Sequence, residues 1–298
     1  MSRQSDDALA ALRGAVKIAT EAAEPGTVKP CGAEDFETLD RAGLRRDVET
    51  ILLAPRPDLG LQRLHDVGLL AALMPEVEAL VGFGEGGQRH KDVWDHTKRV
   101  VAQTPRRAHM RWAALFHDIG KVRTRRTDPD GQVQFHGHAE VGARMAAKRL
   151  KKLGFPKEQA RTIRLLILFH QRPSQYDPTW TDAAVRRFGR ETEEVLDELL
   201  DFSRADMTTK YEGKRRRGHQ LIEELSHRLT EIRELDARVP PLPKGLGLGI
   251  IERFNLQPGP RIGQLRNAVE AAVEAGELEP QQEAEVYLSW LEAHIDEL

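Results

Sequence analysis

From Val93 onward, apolar residues recur at helical spacing, and that periodicity limits what the chain can fold into more than any other feature. Trp112, Leu115, Phe116 and Ile119 form one stripe, and Val141, Met145 and Leu150 belong to another. Ile163, Leu166, Ile167 and Phe169 mark a largely buried helix. A chain patterned this way buries helix against helix, and the class it predicts is all-α. Of the 298 residues, 40% are apolar and 31% charged, which suits a sizeable core beneath a heavily charged surface.

Proline and glycine punctuate the pattern. Residues 1–34 read as an N-terminal arm: a frayed helix around Leu9, Leu12 and Val16, or a disordered segment, ended by Glu24-Pro25-Gly26. The spacing of Phe36, Leu39, Leu44, Val48, Ile51 and Leu52 predicts a helix over 35–53, stopped by Pro55 and Pro57. Short helices should follow near 59–65 and 68–80, with Pro75 as a kink or boundary, completing an N-terminal helical segment over 35–88. Residues 82–87 match the spacing G-x-G-x-x-G, but no β-branched run precedes them, so they read as a flexible loop rather than a dinucleotide fingerprint. A central domain spans 89–238. Within it, Thr127-Asp128-Pro129-Asp130-Gly131 is a turn before a short extended piece at 132–135, and helices are expected over 182–189, 192–211 and 217–238. Pro240, Pro241 and Pro243 with Lys244-Gly245 form a linker to a C-terminal tail, 245–298, of three short helices near 248–254, 261–275 and 280–297.

Charge and cysteine content exclude several classes. Lysine and arginine total 45 against 47 acidic residues, a formal net charge of -2, which argues against a dedicated duplex-DNA binder with a broad basic field. Local basic patches remain at Lys214-Arg215-Arg216-Arg217, Lys148–Lys152 and Arg123–Arg126; each could track a phosphate backbone or simply be a solvated helix face. The single cysteine, Cys31, rules out an internal disulfide framework and a cysteine-rich zinc site. Apolar runs such as Leu165–Phe169 fall far short of a membrane span, and no charged-then-apolar leader opens the chain, so a cytoplasmic protein is expected.

Seven of the eleven histidines lie between His90 and His170. The sharpest feature among them is Leu115-Phe116-His117-Asp118-Ile119-Gly120-Lys121. Adjacent helical residues are about 100° apart, so His117 and Asp118 can reach one point beside the helix. An imidazole nitrogen and a carboxylate oxygen there suit a divalent cation such as Zn, Mn, Fe or Mg. Lys121, one turn on, projects from the same face and could hold a substrate phosphate oxygen. An ordinary helix ion pair would look similar, yet apolar neighbours make burial of these charges without a ligand expensive. His96, His138, His170 and Asp206 are further candidate ligands at helix-compatible places. Singly each reads as a capped or core histidine or a solvated aspartate; together, at the starts and ends of successive apolar helices, they share a reason in a buried metal centre. A cation held mainly by neutral imidazoles keeps much of its charge, can activate water, and attracts a phosphate ester.

The order His96, His117-Asp118, Asp206 resembles the H…HD…D pattern of the HD phosphohydrolase superfamily. The runs Gly68-Leu69-Leu70…Met74-Pro75-Glu76, His90–Thr97, Phe135-His136-Gly137-His138 and Leu256–Gly263 look like the HD and tail region of bacterial tRNA nucleotidyltransferases and poly(A) polymerases. The similarity covers roughly residues 40–297. It implies an HD-domain helical bundle with flanking N-terminal and C-terminal helical segments. It also implies metal ligation by His96, His117, Asp118 and Asp206, ligation of a second metal by His138 and His170, a bridging Asp118 where there are two metals, and phosphate contact by Lys121. His136 and Arg123 are candidates for substrate contact but are not counted among the site residues. The family's nucleotidyltransferase head needs a sheet with a Gly-Ser turn and two metal-binding carboxylates, and about 40 residues before the matching region are too few to hold it. Asp128-Pro129-Asp130 mimics the carboxylate pair but reads as a turn.

The expectation is therefore an enzyme: a divalent-metal-dependent phosphohydrolase, with one or two metals per chain, and not a nucleotidyl transferase. The resemblance suggests 2′,3′-cyclic phosphodiesterase, 2′-nucleotidase or phosphatase activity on phosphorylated nucleotides or RNA ends, with Asp118 and Lys121 catalytic. The alternative is a non-catalytic module that binds RNA, tRNA included, or regulates, and keeps its metal for structure. Hydrolysis of a nucleoside triphosphate or guanosine tetraphosphate is a third HD chemistry.

Overall fold

The computed structural model describes residues 3–21, 41–84, 92–238 and 241–295. Helices α1 (Arg3–Glu21), α2 (Arg41–Leu53), α3 (Pro57–Asp66), α4 (Leu69–Leu73) and α5 (Pro75–Glu78) come first. They lead to α6 (Val93–Gln103), α7 (Ala108–Phe116) and the short α8 (Lys121–Thr124). A hairpin follows, β1 (Arg126–Thr127) against β2 (Val133–Gln134), antiparallel with Arg126 opposite Gln134. Asp128 ties its turn by accepting from the backbone N–H groups of Asp130 and Gln132 at 3.1 and 2.8 Å, so Asp128-Pro129-Asp130 is the turn its composition predicts. The remaining helices are α9 (His138–Lys152), α10 (Lys157–Phe169), α11 (Asp182–Glu191), α12 (Leu196–Asp206), α13 (Glu212–Arg238), α14 (Leu246–Phe254), α15 (Pro260–Ala275) and α16 (Ala284–His294). The fold is an all-α bundle with flanking helices. Prolines open helices as well as stopping them: Pro57, Pro75 and Pro260 each occupy a first position, where the missing N–H costs nothing.

Two segments differ from their sequence pattern. The arm forms a helix over residues 3–21, and between Ala11 and Ala19 that helix is packed rather than frayed. A Cβ built on Gly60 of α3 would lie 2.6 Å from Ile51 Cγ2 and 2.7 Å from Ala19 Cβ, so α1 and α3 approach closely there. That approach buries Ala11, Leu12, Ala15, Ile18 and Ala19; the small alanines that look like a weak core are what permit it. The helix expected over 192–211 is interrupted. Glu193–Val195 form a 3-10 turn, α12 ends at Asp206, and Met207 (φ −76°, ψ 79°) turns the chain into an irregular segment before α13. Part of the glycine loop, residues 85–87, lies outside the described residues, as do residues 22–34 of the arm, His90-Lys91 and Pro240 of the linker. Gly84 makes an antiparallel bridge with Asp92, and Phe83 O accepts from Val93 N at 3.0 Å.

The chain divides into two compact units, residues 1–175 with 194–222 and residues 176–193 with 223–298. In the first, α7 is the central helix: Met110 to Phe116 are all buried, and it contacts α2, α6, α9, α10 and α12. Its one cation, Arg111, is stabilised by donating to the carbonyls of Leu52, Ala54, Ala102 and Thr104, which the ends of α2 and α6 leave without intrahelical partners. Burial, with Arg106 nearby, still lowers its pKa to about 10. Trp112 stacks on Phe116 with centroids 5.9 Å apart and donates Nε1–H to Glu49 at 3.1 Å. In the second unit, Leu246, Ile250, Leu265, Val269, Tyr287 and Leu291 form a core of their own. Tyr287 Oη donates to Glu279 O at 2.8 Å and accepts from Gln282 N at 2.9 Å.

Candidate metal centre

The first unit brings the sequence-predicted site residues together at helix ends. His96 lies in the first turn of α6, which is fixed by Asp92 accepting from Trp94 N and Asp95 N. His117 caps the C-terminus of α7, and Asp118 follows in a tight turn closed by Ile119 N–Phe116 O and Lys121 N–Asp118 O bonds of 3.3 and 2.9 Å. Lys121 opens α8, His138 opens α9, His170 caps α10 and Asp206 ends α12. Because α7 is buried on all sides, its C-terminal end delivers His117 and Asp118 into the interior, each 1% exposed. Gly120 fixes the next contact: a Cβ there would lie 2.0 Å from His138 O and 2.7 Å from Gly142 N. The turn after α7 and the start of α9 therefore meet backbone to backbone, which sets His138 beside Asp118.

The polar atoms form two groups that share Asp118. In the first, His96 Nε2 is 3.2 Å from His117 Nε2, 3.0 Å from Asp206 Oδ1 and 3.6 Å from Asp118 Oδ2. His117 Nε2 is 3.2 Å from Asp118 Oδ2 and 3.5 Å from Asp206 Oδ1. In the second, His138 Nε2 is 3.3 Å from His170 Nε2 and 3.5 Å from Asp118 Oδ1. The two oxygens of one carboxylate thus face the two groups separately. Lys121 Nζ stands 2.9 Å from Asp118 Oδ2. A cavity of about 300 Å³ opens onto both groups, lined also by Gln171, Met207, Thr208, Thr209 and Lys214.

Hydrogen bonding orients the imidazoles. His117, His138 and His170 each donate Nδ1–H to the carbonyl three residues earlier, on Ala114, Phe135 and Ile167, at 2.8, 2.8 and 2.7 Å. A carbonyl can only accept, so each ring keeps Nε2 for the centre. His96 Nδ1 lies 2.8 Å from Thr208 Oγ1. At His117, burial opposes the charge, but the carboxylates of Asp118 and Asp206 outweigh it and hold the pKa up at about 9. Burial pushes His170 down to about 4, with the neighbouring His117 adding to it, and burial also lowers His138. Both are then neutral near pH 7, and two lone pairs point at each other across 3.3 Å. Asp118 and Asp206 are drawn below the usual carboxylate range, against their burial, by the imidazoles and, for Asp118, by Lys121 as well; Asp206 falls to about 2. Even so, Asp118 Oδ2 and Asp206 Oδ1 are buried without a hydrogen bond of good geometry.

These facts fit a divalent cation. Donors bound at about 2.1 Å around one centre stand roughly 3.0–3.5 Å apart, and facing lone pairs and orphaned carboxylate oxygens are what a cation between them would satisfy. The imidazole and carboxylate donors are compatible with such an ion.

Sequence reasoning missed Thr208, Met207, Thr209 and Gln171, ordinary residues on irregular chain or at a helix end whose position no local pattern announces. His136 and Arg123 do not line the cavity; His136 Nε2 instead meets Gln134 Oε1 at 2.5 Å. His109 does not line the cavity and faces Glu198 at 3.6 Å.

Comparison with known proteins matches residues 90–210 to the HD domain model. The chain is 33% identical over 257 residues to a CC-adding tRNA nucleotidyltransferase of Thermus thermophilus, covering 83% of this chain and 56% of that protein. It is 31% identical over 262 residues to an A-adding tRNA nucleotidyltransferase of Deinococcus radiodurans, covering 84% and 58%. A multifunctional CCA protein of Pseudomonas paraeruginosa is 37% identical over 102 residues, 33% of this chain and 25% of that one. The chain thus spans about half the length of the first two curated relatives it matches. No helix among the described residues is long and apolar enough to cross a membrane. Residues 90–210, with the helix ends that gather these histidines and aspartates, are an HD domain, and across that domain the chain is homologous to tRNA nucleotidyltransferases.

Proposed function

We propose that this chain is a divalent-metal-dependent phosphohydrolase acting on nucleotide or RNA phosphate esters. The observation that carries the reading is the pair of donor groups sharing Asp118, with the Lys121 ammonium beside them at the wall of one cavity. His96, His117, Asp118 and Asp206 would hold one cation and Asp118, His138 and His170 a second, with Zn, Mn, Fe and Mg all suited to nitrogen and oxygen donors. A cation so held supplies a Lewis acid and lowers the pKa of water.

The protein's own groups do the rest. Asp118 presents one oxygen to each donor group. The backbone carbonyls of Ala114, Phe135 and Ile167 keep three imidazoles turned inward. Lys121 Nζ is placed to hold a phosphoryl oxygen and offset the charge that develops on it. A cavity of about 300 Å³ is at the small end of ligand sites, with room for a phosphorylated sugar end rather than for a folded RNA. The tRNA-directed names of the relatives favour an RNA end, tRNA included, as substrate, and 2′,3′-cyclic phosphates, 2′-phosphates and phosphomonoesters are the esters to try first.

The test is turnover of 2′,3′-cyclic nucleotides, nucleotide monophosphates and a generic phosphodiester with Mn, Fe, Zn or Mg. Asp118→Asn should lower the rate by more than the roughly 10–100-fold that losing an outer-shell partner costs. Activity no higher than this variant's with every metal would remove the proposal, and tight, salt-sensitive RNA binding without turnover would favour the binding module instead.

A further inference from the structure

Beyond the metal cavity the chain runs from Asp206 through Met207, Thr208 and Thr209, which line it, to Lys210 and Tyr211 and into the first turns of α13. Tyr211 is 49% exposed and is the one exposed aromatic side chain among the described residues. The surroundings of this ring are cationic. Lys210 Nζ and Lys214 Nζ stand 5.7 and 5.5 Å from its centroid, and Lys214 also lines the metal cavity. The ring is therefore one lysine away from the place where a phosphate would sit.

The next residues continue the charge. Lys210, Lys214, Arg215, Arg216 and Arg217 are all exposed, with Glu212 the single acid among them, in a chain whose net charge is -2. Lys214 and Arg217 share a helix face. Gly218 sets that face in place: a Cβ there would lie 2.5 Å from Met207 Sδ, so α13 lies tight against the cavity wall. Cations spaced along a helix beside an exposed ring are the two elements of a single-stranded nucleic-acid site, phosphates on the cations and a base on the ring.

We infer that Tyr211, with Lys214 and Arg217, forms a subsite for a single-stranded RNA: an unpaired base stacks on the Tyr211 ring while its phosphates follow Lys214 and Arg217 and the strand's end enters the metal cavity. The inference deepens the reading above and rests on it for the identity of the end that enters. It makes an RNA strand, rather than a free nucleotide, the preferred ligand, and it requires unpaired bases, because a ring cannot stack on a base closed within a duplex.

The experiment is fluorescence anisotropy of a labelled single-stranded oligoribonucleotide on the full chain, across a salt series, with its duplex form as a second probe. Tyr211→Ala should weaken single-strand binding about tenfold, Tyr211→Trp and Tyr211→Phe should restore it, and the duplex should bind more weakly than the strand. Lys214→Ala and Arg217→Ala should each reduce the salt slope by about one, whereas Tyr211→Ala should leave the slope alone. Equal affinity of wild type and Tyr211→Ala, or a duplex bound as tightly as the strand, would overturn the subsite. The readout needs no turnover. RNA binding that depends on Tyr211 in a protein without activity would keep the subsite and remove the phosphohydrolase reading. Hydrolysis with no effect of Tyr211→Ala on RNA affinity would do the reverse.

Discussion

Residue by residue, the chemistry of the centre comes from opposite shifts of neighbouring imidazoles. In metal-free protein His117 is held up at about 9, with Asp118 and Asp206 overcoming its burial, while burial takes His170 down to about 4 and lowers His138. The linkage follows directly. His117 has a folded pKa above its unfolded value of about 6.5, so its contribution to stability is complete below about pH 6.5 and is lost as pH rises to about 9. His170 works in the other sense: the unfolded chain takes up a proton below about pH 6.5 that the folded one resists, so stability falls as pH drops through that window toward about 4. Asp118 and Asp206, depressed, add to the loss in acid once pH falls below the usual carboxylate range. Chelator-treated protein should therefore melt at its highest temperature near pH 6.5–7, with the midpoint falling on both sides in a thermal scan. Cation binding needs the Nε2 lone pair of His117, so affinity should rise with pH and level off above about 9, with release of a proton below it, measurable by calorimetry in buffers of different ionisation enthalpy.

The elements contribute position, and the contact that matters most is between two backbones. Gly120 meets the start of α9 so closely that any side chain must displace it, whereas a Cβ on Gly142 would find its nearest neighbours, Gly120 N and His117 O, at 3.4 Å. Gly120→Ala should cost about 1–3 kcal/mol or more by overpacking. It should also lower metal content, because α9 carries His138 away from Asp118. Gly142→Ala should be milder on both counts. Denaturant melts and elemental analysis of the two variants test this ranking; equal effects would mean that the backbone contact does not set the site.

In the whole molecule, the site belongs to the first unit alone, built from α6, α7, α8, α9, α10 and α12. A cation that binds only the folded state should stabilise that unit by about 2.7 kcal/mol at a hundred times its dissociation constant. For a unit of this size that is a rise in Tm of roughly 5–10 °C, in the calorimetric transition that chelation shifts, and the rise should shrink in Asp118→Asn. Much of the design is written locally. Periodicity near 3.6 gave the helix class, and proline and glycine marked most helix limits, because both act over one or two turns of backbone. His96, His117, Asp118, Lys121, His138, His170 and Asp206 were legible because the residue types that hold cations and phosphates are few, and here they recur at helix limits. Other features depend on neighbours distant in sequence. The alanines of α1 look too small for a core until Gly60 lets α3 approach them. Thr208 is an ordinary threonine until the break after α12 sets it 2.8 Å from His96. By itself the sequence determined an all-α chain and the inventory of donors. Only the tertiary structure decided the distances at which Asp118 meets its two donor groups, that Gly120 must be bare, and that Tyr211 stands exposed beside the cavity, because the distances between helix ends are set by packing across the core and not by any local pattern.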